Sequence, residues 1–336
     1  MEGLEEVTLE LCNRCPQRCL HCSSSSSPNS AEELDKDTVL RLVHDAASLG
    51  TRKLCLGGGE PLLSEQLNQV LTEAAKLGMA LEVFTCGIAE LPPRLTALPD
   101  DLLLGWTRIP RLKVIFSFQG ATASTHDYVT QTDGSYAVLL SSLRRCVLRG
   151  ITCEINFVPL RPNVNEFAQL VSLADSLRVH RISVLRFVPQ GRGAWNRSRL
   201  ELSSADEDAF VRELLALREQ SRAEIRTGSP FNGIVPGNHV PCRAGFRKLV
   251  VQPTGNVLPC EVFKHQSRCQ WRLNVHEQSL TDIVQSPDLK ALQRRLQENA
   301  CQQCPVHHSL REEKKVEREY EQVSEDTVHP IRGYRD

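Results

Sequence analysis

The sequence has no long hydrophobic run and no excess of charge of either sign. Its apolar stretches fall well short of the roughly eighteen residues that span a bilayer, and its N-terminus is acidic, unlike the basic start of a secretory signal. The 40 Lys and Arg residues nearly balance the 41 Asp and Glu residues. These absences argue against a membrane-spanning helix and a basic nucleic-acid-binding surface. We therefore expect a cytoplasmic protein with neither a membrane nor a nucleic acid as a partner.

Cysteine, by contrast, is abundant. The chain has 13 cysteines among 336 residues, and an odd number in a reducing compartment favours metal ligation over disulfide bonds. Cys55, Cys146 and Cys153 lie within apolar strand or helix patterns, where a free cysteine packs as a small hydrophobic residue. Seven others form two groups with regular spacing, and these two groups are the candidate metal sites.

The first group follows residues 7–11, an alternating apolar run that predicts a β-strand. Its spacing is Cys15-x3-Cys19-x2-Cys22, so three thiolates can converge on one face of a compact loop. Thiolates are the ligands that iron–sulfur clusters and zinc prefer. Three of them leave one iron of a four-iron cluster open, whereas a closed zinc site needs a fourth ligand, for which Cys12 is available.

At this loop the sequence resembles the radical S-adenosylmethionine (SAM) superfamily, whose C-x3-C-x2-C loop follows the first strand of a barrel. The resemblance implies a [4Fe-4S] cluster on Cys15, Cys19 and Cys22, with SAM chelated to the open iron. His21 stands where the family places an aromatic residue or a histidine near the adenine. The simpler interpretation of His21 is a partly exposed loop residue.

Strands and helices alternate along the first 200 residues, which implies a parallel sheet with helices outside it, an α/β fold. The pattern predicts strands at 7–11, 53–56, 81–85, 112–118, 153–158 and 181–187, and helices near 37–49, 65–77, 135–149 and 164–177. Six strands are too few for an eightfold barrel. The resemblance implies a partial (β/α)6 barrel whose chemistry lies at the carboxyl ends of the strands. Residues 90–106 are expected to form a crossover helix between the third and fourth strands.

The alternation ends near residue 200. We predict a barrel at 1–200, a helix and linker at 201–240, a small α+β cluster domain of the twitch/SPASM type at 241–306, and a charged helix or tail at 307–336. A hairpin with Gly255 in its turn is expected in the cluster domain.

Further motifs close the predicted strands. Gly58-Gly59-Glu60-Pro61 resembles the family motif that meets the SAM ammonium, since glycines allow close backbone approach and a carboxylate accepts hydrogen bonds from a cation. Thr85-Cys86-Gly87 and Ser117-Phe118-Gln119-Gly120 resemble the family's Thr-Asn-Gly and Ser-Leu-Asp-Gly, although Gln119 lacks the acid's charge. Thr130 replaces an arginine common in the family, and Arg186 or Arg192 could contact SAM or substrate or form a structural salt bridge. The resemblance implies a SAM-binding set of His21, Gly58, Gly59, Glu60, Pro61, Thr85, Ser117, Gln119 and Arg186.

The second cysteine group comprises Cys242, Cys260, Cys301 and Cys304, a four-thiolate set that could close around one site. It resembles the shortened auxiliary-cluster domain called twitch more than the longer SPASM domain, which has seven cysteines and two clusters. The resemblance implies a second, auxiliary [4Fe-4S] cluster, and zinc is the alternative. Cys269 has no assigned partner.

The family's activity is reductive cleavage of SAM to a 5′-deoxyadenosyl radical, which abstracts a hydrogen atom from the substrate. The first expectation is maturation of a ribosomally synthesised peptide, through a cross-link or a backbone modification, with the auxiliary cluster transferring an electron. No N-terminal recognition domain fits before the first strand. A separate leader-peptide recognition protein is therefore expected, together with an electron donor such as flavodoxin or ferredoxin.

Two other functions remain open from the sequence. One is a dehydrogenase or epimerase acting on a small molecule, a sugar or an aminocyclitol, for which Cys86 and Cys269 are the candidate catalytic hydrogen donors. The other is an iron–sulfur electron carrier or sensor, which would need neither the Gly-Gly-Glu-Pro motif nor the ribose-side motif.

Overall fold

The computed structural model describes residues 3–264 and 273–298. Within them, nine strands form one sheet in the order β7-β6-β5-β4-β3-β2-β1-β8-β9. The strands are β1 (Glu6–Cys12), β2 (Lys53–Gly58), β3 (Ala80–Thr85), β4 (Leu112–Phe118), β5 (Thr152–Phe157), β6 (Arg181–Val184), β7 (Glu224–Thr227), β8 (Lys248–Val251) and β9 (Val257–Leu258). The helices are α1 (Lys36–Ser48), α2 (Leu67–Lys76), α3 (Asp100–Trp106), α4 (Ala123–Thr130), α5 (Ser135–Leu148), α6 (Phe167–Ser176), α7 (Arg192–Trp195), α8 (Arg197–Leu200), α9 (Ser204–Gln220), α10 (Leu280–Gln285) and α11 (Pro287–Glu298).

Strands β1 to β7 are parallel, and each pairs with its neighbours in sequence. The helices between them pack apolar stripes against one face of the sheet. In α1, for example, Val39, Leu42 and Val43 are fully buried and belong to the same core as Leu54 and Leu56 of β2. This topology brings the carboxyl ends of seven parallel strands to one rim, the position expected for the site.

The other face of the sheet carries charges of alternating sign near the amino ends of the strands. Eight adjacent strands, from β8 through β1 to β7, contribute one charge each: Lys248, Glu6, Lys53, Glu82, Lys113, Glu154, Arg181 and Glu224. Successive members approach to 3.3, 2.6, 3.4, 3.9, 2.9, 3.0 and 2.7 Å. We call this row the charge ladder. Because each of these charges is paired, the face can be polar and partly enclosed without leaving an isolated buried ion.

The structure confirms the α/β class and the six predicted barrel strands, and β4 has the predicted bounds. It also extends the sheet beyond them. β7 lies inside the predicted linker at 201–240, and β8 pairs in parallel with β1 through Glu6↔Lys248. The predicted hairpin is present, with Gly255 at φ +81° in its turn, but it belongs to the barrel sheet. Pairing with β8 covers an edge of β1 that would otherwise be exposed, so the sheet crosses the predicted domain boundaries.

The expected crossover helix at 90–106 is shorter than predicted. Only Asp100–Trp106 is helical, because Pro92, Pro93 and Pro99 cannot occupy a helix interior. Among the cysteines expected in the core, Cys146 and Cys153 are buried in it. Cys55 is also buried, but it lies beside the charge ladder, with its Sγ 3.5 Å from Oε2 of Glu82. The predicted helix or tail at 307–336 lies outside the described residues, and no helix within them is long and apolar enough to cross a bilayer.

Candidate functional site

The first cysteine group lies in the loop that follows β1, residues 13–27, which we call the cysteine loop. Cys15 is buried, Cys19 and Cys22 are half-buried, and all three are free thiols. Burial, followed by the neighbouring Cys15 and Cys22, raises the pKa of Cys19 well above its ordinary value. That mutual effect shows that the three sulfurs are neighbours. In residues 3–264 and 273–298, no three His, Cys, Asp or Glu side chains are arranged to hold a single metal ion.

Cys12 is not part of this thiol group. Its Sγ lies 3.4 Å from the Glu60 carbonyl and 3.7 Å from the Arg14 carbonyl. Burial is the main cause that raises its pKa to about 12, so the thiol stays protonated. This placement removes Cys12 as the fourth ligand that a zinc site in the cysteine loop would need, and it leaves the three-thiolate set that suits a cluster with one open iron.

Backbone hydrogen bonds from the end of α4 hold one side of the cysteine loop. The Arg18 amide donates to the Thr130 carbonyl at 3.0 Å, and the Leu20 amide donates to the Val129 carbonyl at 2.8 Å. The Leu20 side chain packs against a small apolar cluster that includes Val129 and Leu200. Thr130, which replaces the arginine common in the family, therefore contributes to the loop through its backbone, a role that side-chain comparison could not predict.

The Gly-Gly-Glu-Pro motif follows β2 and packs against the start of the cysteine loop. A Cβ on Gly58, at φ +121°, would lie 2.4 Å from the Cys12 carbonyl oxygen, and a Cβ on Gly59 would lie 2.1 Å from that of Arg14. The Gly59 and Glu60 amides donate to the same two carbonyls at 2.7 Å each. The two glycines thus allow close approach to the chain's own backbone, where the sequence had suggested approach to a ligand. Pro61 begins a short 3-10 turn, Pro61–Leu63, beside them.

Glu60 is completely buried. Its carboxylate accepts hydrogen bonds from the Thr85 hydroxyl at 2.7 Å, the Cys86 amide at 2.7 Å and the Leu62 amide at 3.2 Å. Burial raises its pKa to about 6, against the opposing effect of these hydrogen bonds. A carboxylate has about four lone-pair sites, so at most a small part of its capacity is left for a cofactor. Its evident action is to tie the end of β2 to the end of β3.

Thr85 and Cys86 close β3 at the base of the site. Both are buried, and Thr85 also accepts a hydrogen bond from the Gly87 amide at 2.8 Å. The Cys86 thiol adjoins the Cys15 thiol, and burial and then Cys15 raise its pKa well above the ordinary value. Cys86 therefore lies beside the cysteine group itself.

The end of β4 leaves a buried acceptor without a partner. Gln119 is buried, and its Oε1 has no hydrogen-bond partner among the described residues. Its backbone is fixed, because its amide donates to His126 Nδ1 at 3.1 Å and its carbonyl accepts from Asn163 Nδ2 at 3.0 Å. Ser117 is half-buried on the same strand, opposite Asn156 of β5. An unpaired buried oxygen costs free energy unless a ligand or water satisfies it, so Gln119 suits a donor on a bound cofactor.

His21 and His126 each have a buried ring nitrogen that makes no hydrogen bond to the described residues. Within the described part of the chain, His21 Nδ1 and His126 Nε2 are buried without hydrogen-bond partners. Burial lowers the pKa of each to about 4, so both imidazoles are neutral near pH 7. Because His126 Nδ1 accepts from the Gln119 amide, its proton is on Nε2. The sequence motifs identified neither His126 nor Asn163 as important. His126 contacts Gln119 from seven residues away and Asn163 from 44 residues away, and neither contact has a signature in the sequence.

The two arginines after β6 have separate roles. Arg186 donates to the Pro230 carbonyl at 3.2 Å and pairs with Glu207 at 3.4 Å. This is the structural salt bridge that the sequence left as the alternative to SAM contact. Arg192 instead donates to carbonyls of the cysteine loop. These contacts direct both guanidinium groups to other parts of the chain and not to a SAM-binding position.

The second cysteine group is only partly described. Cys242 is exposed and Cys260 is half-buried, whereas Cys269, Cys301 and Cys304 lie outside the described residues. Cys260 adjoins Glu261, which pairs with Lys248 at 2.7 Å. Although burial acts to raise it, the Lys248 ammonium lowers the pKa of Glu261 to about 2. Nearby, Lys264 contacts both Glu10 of β1 and Ser24 of the cysteine loop at 2.5 Å, so this segment reaches the rim that carries the first group.

Comparison with known proteins agrees with this geometry. The model of the radical SAM superfamily matches residues 9–174, and that of the SPASM iron–sulfur cluster-binding domain matches residues 242–305. A PqqA peptide cyclase of Methylocella silvestris is 30% identical over 305 residues, which cover 88% of this chain and 78% of that protein. Another, from Methylobacterium nodulans, is 29% identical over 290 residues, or 84% and 73% of the two chains.

Solved structures show the same fold at lower identity. Streptococcus suis SuiB with bound S-adenosylmethionine has a TM-score of 0.71 at 16% identity, with 86% of this chain and 67% of that one covered. Native anSMEcpe with bound AdoMet has a TM-score of 0.65 at 14% identity, with 85% and 82% covered. Taken with the three-thiol loop and the partial barrel, these matches show that the chain belongs to the radical SAM superfamily, enzymes that use SAM at a [4Fe-4S] cluster, and that it carries a C-terminal SPASM-type iron–sulfur domain.

Proposed function

We propose that this protein is a peptide maturase that uses SAM-derived radical chemistry to cross-link or modify the backbone of a ribosomally synthesised peptide. The observation that carries the proposal is the likeness to PqqA peptide cyclases, which extends over most of both chains. A small-molecule substrate has no comparable support. The experiment below distinguishes a small-molecule substrate from a peptide.

In this proposal the cysteine loop holds the SAM-binding cluster through Cys15, Cys19 and Cys22. The bound cluster and SAM supply a 5′-deoxyadenosyl radical that removes a hydrogen atom from the substrate. The chain's own contribution is to orient the cofactor and exclude water from it. The buried Glu60, Thr85 and Cys86 close the base of the site at the ends of β2 and β3.

SAM orientation is assigned to the groups that the chain leaves unsatisfied. Gln119 Oε1 and His21 Nδ1 are buried and without partners among the described residues, and both lie in or beside motifs of the SAM-binding set. Ser117 and the Gly59 carbonyl complete the proposed contacts, since the Gly59 and Glu60 amides already donate to the Cys12 and Arg14 carbonyls. Arg186 is left out of this set, because its guanidinium is occupied by Glu207 and Pro230.

The second cysteine group is proposed to hold one auxiliary [4Fe-4S] cluster through Cys242, Cys260, Cys301 and Cys304. The segment matched by the SPASM model contains all four. With four thiolates and no open iron, such a cluster suits electron transfer better than substrate ligation. Oxidative cross-linking requires that an electron leave the substrate radical, which gives this cluster its role.

Two protein partners belong to the proposal. A flavodoxin or ferredoxin would supply the electron that starts each turnover, and a separate recognition protein would deliver the leader part of the peptide. A peptide substrate is consistent with the relatives named above, whereas these two partners rest on the chemistry alone.

The test is anaerobic turnover of the reconstituted enzyme with short peptides encoded beside its gene, with and without deuterium at candidate positions. We expect a peptide product that has lost two hydrogens and deuterium transfer into 5′-deoxyadenosine. The Cys15/Cys19/Cys22→Ala variant is the control and should give neither. Deuterium transfer from a labelled sugar or aminocyclitol, with none from any peptide, would overturn the proposal.

Cys86 separates the two chemistries further. An epimerase needs a thiol to return a hydrogen atom, whereas peptide cross-linking does not. We therefore expect Cys86→Ala to form the cross-linked product, since the thiol adjoins Cys15 and acts as part of the wall. Loss of the cross-linked product with SAM cleavage intact would contradict the assignment of Cys86 to the wall of the site.

A further inference from the structure

The segment after β6, Gly191-Arg192-Gly193, lies directly on the cysteine loop. A Cβ on Gly191, at φ +54°, would lie 2.5 Å from the Ser23 carbonyl oxygen and 2.8 Å from that of Cys22. A Cβ on Gly193 would lie 3.0 Å from the His21 carbonyl oxygen. At 191 this close approach and positive φ require glycine, and at 193 a side chain would require the loop to shift by a few tenths of an ångström. The sequence thus brings Arg192 into contact with the outer half of the cysteine loop.

Arg192 donates hydrogen bonds to three separate carbonyls of that loop. Its amide donates to the Cys22 carbonyl at 3.0 Å. Its guanidinium donates through Nε to the Cys19 carbonyl at 2.9 Å and through Nη2 to the Ser26 carbonyl at 2.7 Å. Two of these three acceptors are the backbone groups of cysteines in the thiol group. The contacts span the loop from Cys19 to Ser26, so one residue fixes the path on both sides of Cys22.

The positively charged guanidinium of Arg192 faces the cysteine loop. Among the described residues, no Asp or Glu forms an ion pair with its guanidinium, in contrast to Arg186 and Arg197, which pair with carboxylates. Arginine stays protonated throughout the physiological range. An uncompensated cation beside a cluster stabilises the reduced cluster, which carries one more negative charge.

We propose that Arg192 is a positioning residue for the SAM-binding cluster: it holds the Cys19 to Ser26 part of the cysteine loop in its ligating shape and places there a permanent positive charge that raises the cluster's reduction potential. This role is separate from SAM or substrate contact. It depends on the cluster in the cysteine loop and is independent of whether the substrate is a peptide.

The experiment compares Arg192→Lys and Arg192→Gln with a matched control, Arg161→Gln. Arg161 makes the same kind of contact elsewhere, since its Nη1 and Nη2 donate to the Ser198 and Glu201 carbonyls at 3.0 Å each. Each anaerobically reconstituted full-length protein is assayed for the rate of iron release to a chelator. Each is also titrated with reductant under EPR to obtain the midpoint potential of the cluster whose signal changes on adding SAM.

Arg192→Gln should release iron from that cluster about tenfold faster, because hydrogen bonds from a charged donor are lost, and its midpoint potential should become more negative. Arg192→Lys should keep the potential near that of the wild type, since the charge remains, but should release iron faster because the paired guanidinium contacts are gone. Arg161→Gln should change neither quantity.

Three results would overturn the proposal. Wild-type iron retention in Arg192→Lys would remove the positioning role, and this variant decides the point even if Arg192→Gln does not fold. A wild-type potential in Arg192→Gln would remove the electrostatic role. Equal changes in Arg161→Gln would show only a general loss of stability. Failure of the peptide proposal would leave all three measurements unaffected.

Discussion

The two cysteine-bearing regions are built in different ways. The cysteine loop is held by the end of α4, by the Gly-Gly-Glu segment after β2, and by Arg192 after β6. In the second region, Cys242 is exposed and Cys260 lies beyond the short strand β9, next to an ion pair. The chain's own contacts therefore shape the first site, whereas in the second region one of the two described cysteines is exposed. We expect metal binding and local folding to be coupled in the second region.

The largest effect on the contrast between the two regions is expected from the Cys15/Cys19/Cys22→Ala variant. Wild-type protein should hold about eight irons and the variant about four, with SAM cleavage abolished because no open iron remains. Iron analysis and EPR with and without SAM measure this. The overall fold should persist in the variant, as judged by circular dichroism, since the loop is held by backbone contacts. A fall from about four irons to none would mean that the second region holds no cluster.

A glycine substitution tests whether the first site is shaped by the chain. In Gly59→Ala, the new Cβ would lie 2.1 Å from the Arg14 carbonyl oxygen, a backbone atom that cannot move alone. We expect a loss of unfolding free energy on the order of 3 kcal/mol and poor cluster incorporation. Gly105→Ala is the control, because nothing lies within 4 Å of its added Cβ. Near-normal iron content in Gly59→Ala would show that the contacts of this segment do not shape the first site.

The second region should respond to loss of a single ligand in a different way. Cys260→Ala should still cleave SAM, because the cysteine loop does not depend on it, while formation of the modified product falls by about a hundredfold or more. Limited proteolysis should show new cleavage near Cys242 and near residues 260–264 in the variant and in chelator-treated wild type, with β8 and the cysteine loop still protected. Equal protection of both regions after iron removal would show that the second site is also preformed.

The smallest expected effect is the pH dependence of stability, which has opposite signs for Glu60 near the first site and Glu261 in the second region. Buried Glu60 has a folded pKa of about 6, above its ordinary value of 4.5. Its contribution to stability therefore declines as pH rises from 4.5 to 6, by about 2 kcal/mol. Glu261 has a folded pKa of about 2, so its stabilising contribution is present above pH 4.5 and is lost as pH falls toward 2.

Denaturant unfolding of the reconstituted protein across pH 2 to 7 tests this contrast, with each variant compared with wild-type protein at the same pH so that loss of iron in acid affects both alike. Glu60→Gln should abolish the decline between pH 4.5 and 6, and Glu261→Gln should flatten the acid side only. If both variants change the same pH range, the assignment of opposite pKa shifts is wrong.

Much of this architecture could be predicted from the sequence because the relevant signals are local. The alternation of apolar residues predicted the bounds of β4, and the cysteine spacing predicted the position of the first thiol group. The hairpin that contains β8 was predicted, but its pairing with β1 was not, because that pairing joins segments more than 200 residues apart. The short strand β7 was not predicted, since its four residues lie in a segment interpreted as a helix and linker. The same applies to Glu60 and Arg192, whose residue types suggested ligand contact, while their hydrogen bonds are to the chain's own backbone and side chains.

The charge ladder has a consequence for how the chain finds its topology. Because sign alternates from strand to strand across eight positions, an arrangement that omitted one strand would bring two like charges together in a partly buried row. Exchange of β2 with β3, for example, would place Glu82 beside Glu6 and Lys53 beside Lys113. Apolar packing on the opposite face is tolerant of such exchanges, since Leu, Val and Ile substitute for one another at small cost. The charge ladder is thus compatible with one order of the strands. Repulsion between like charges disfavours other orders during folding.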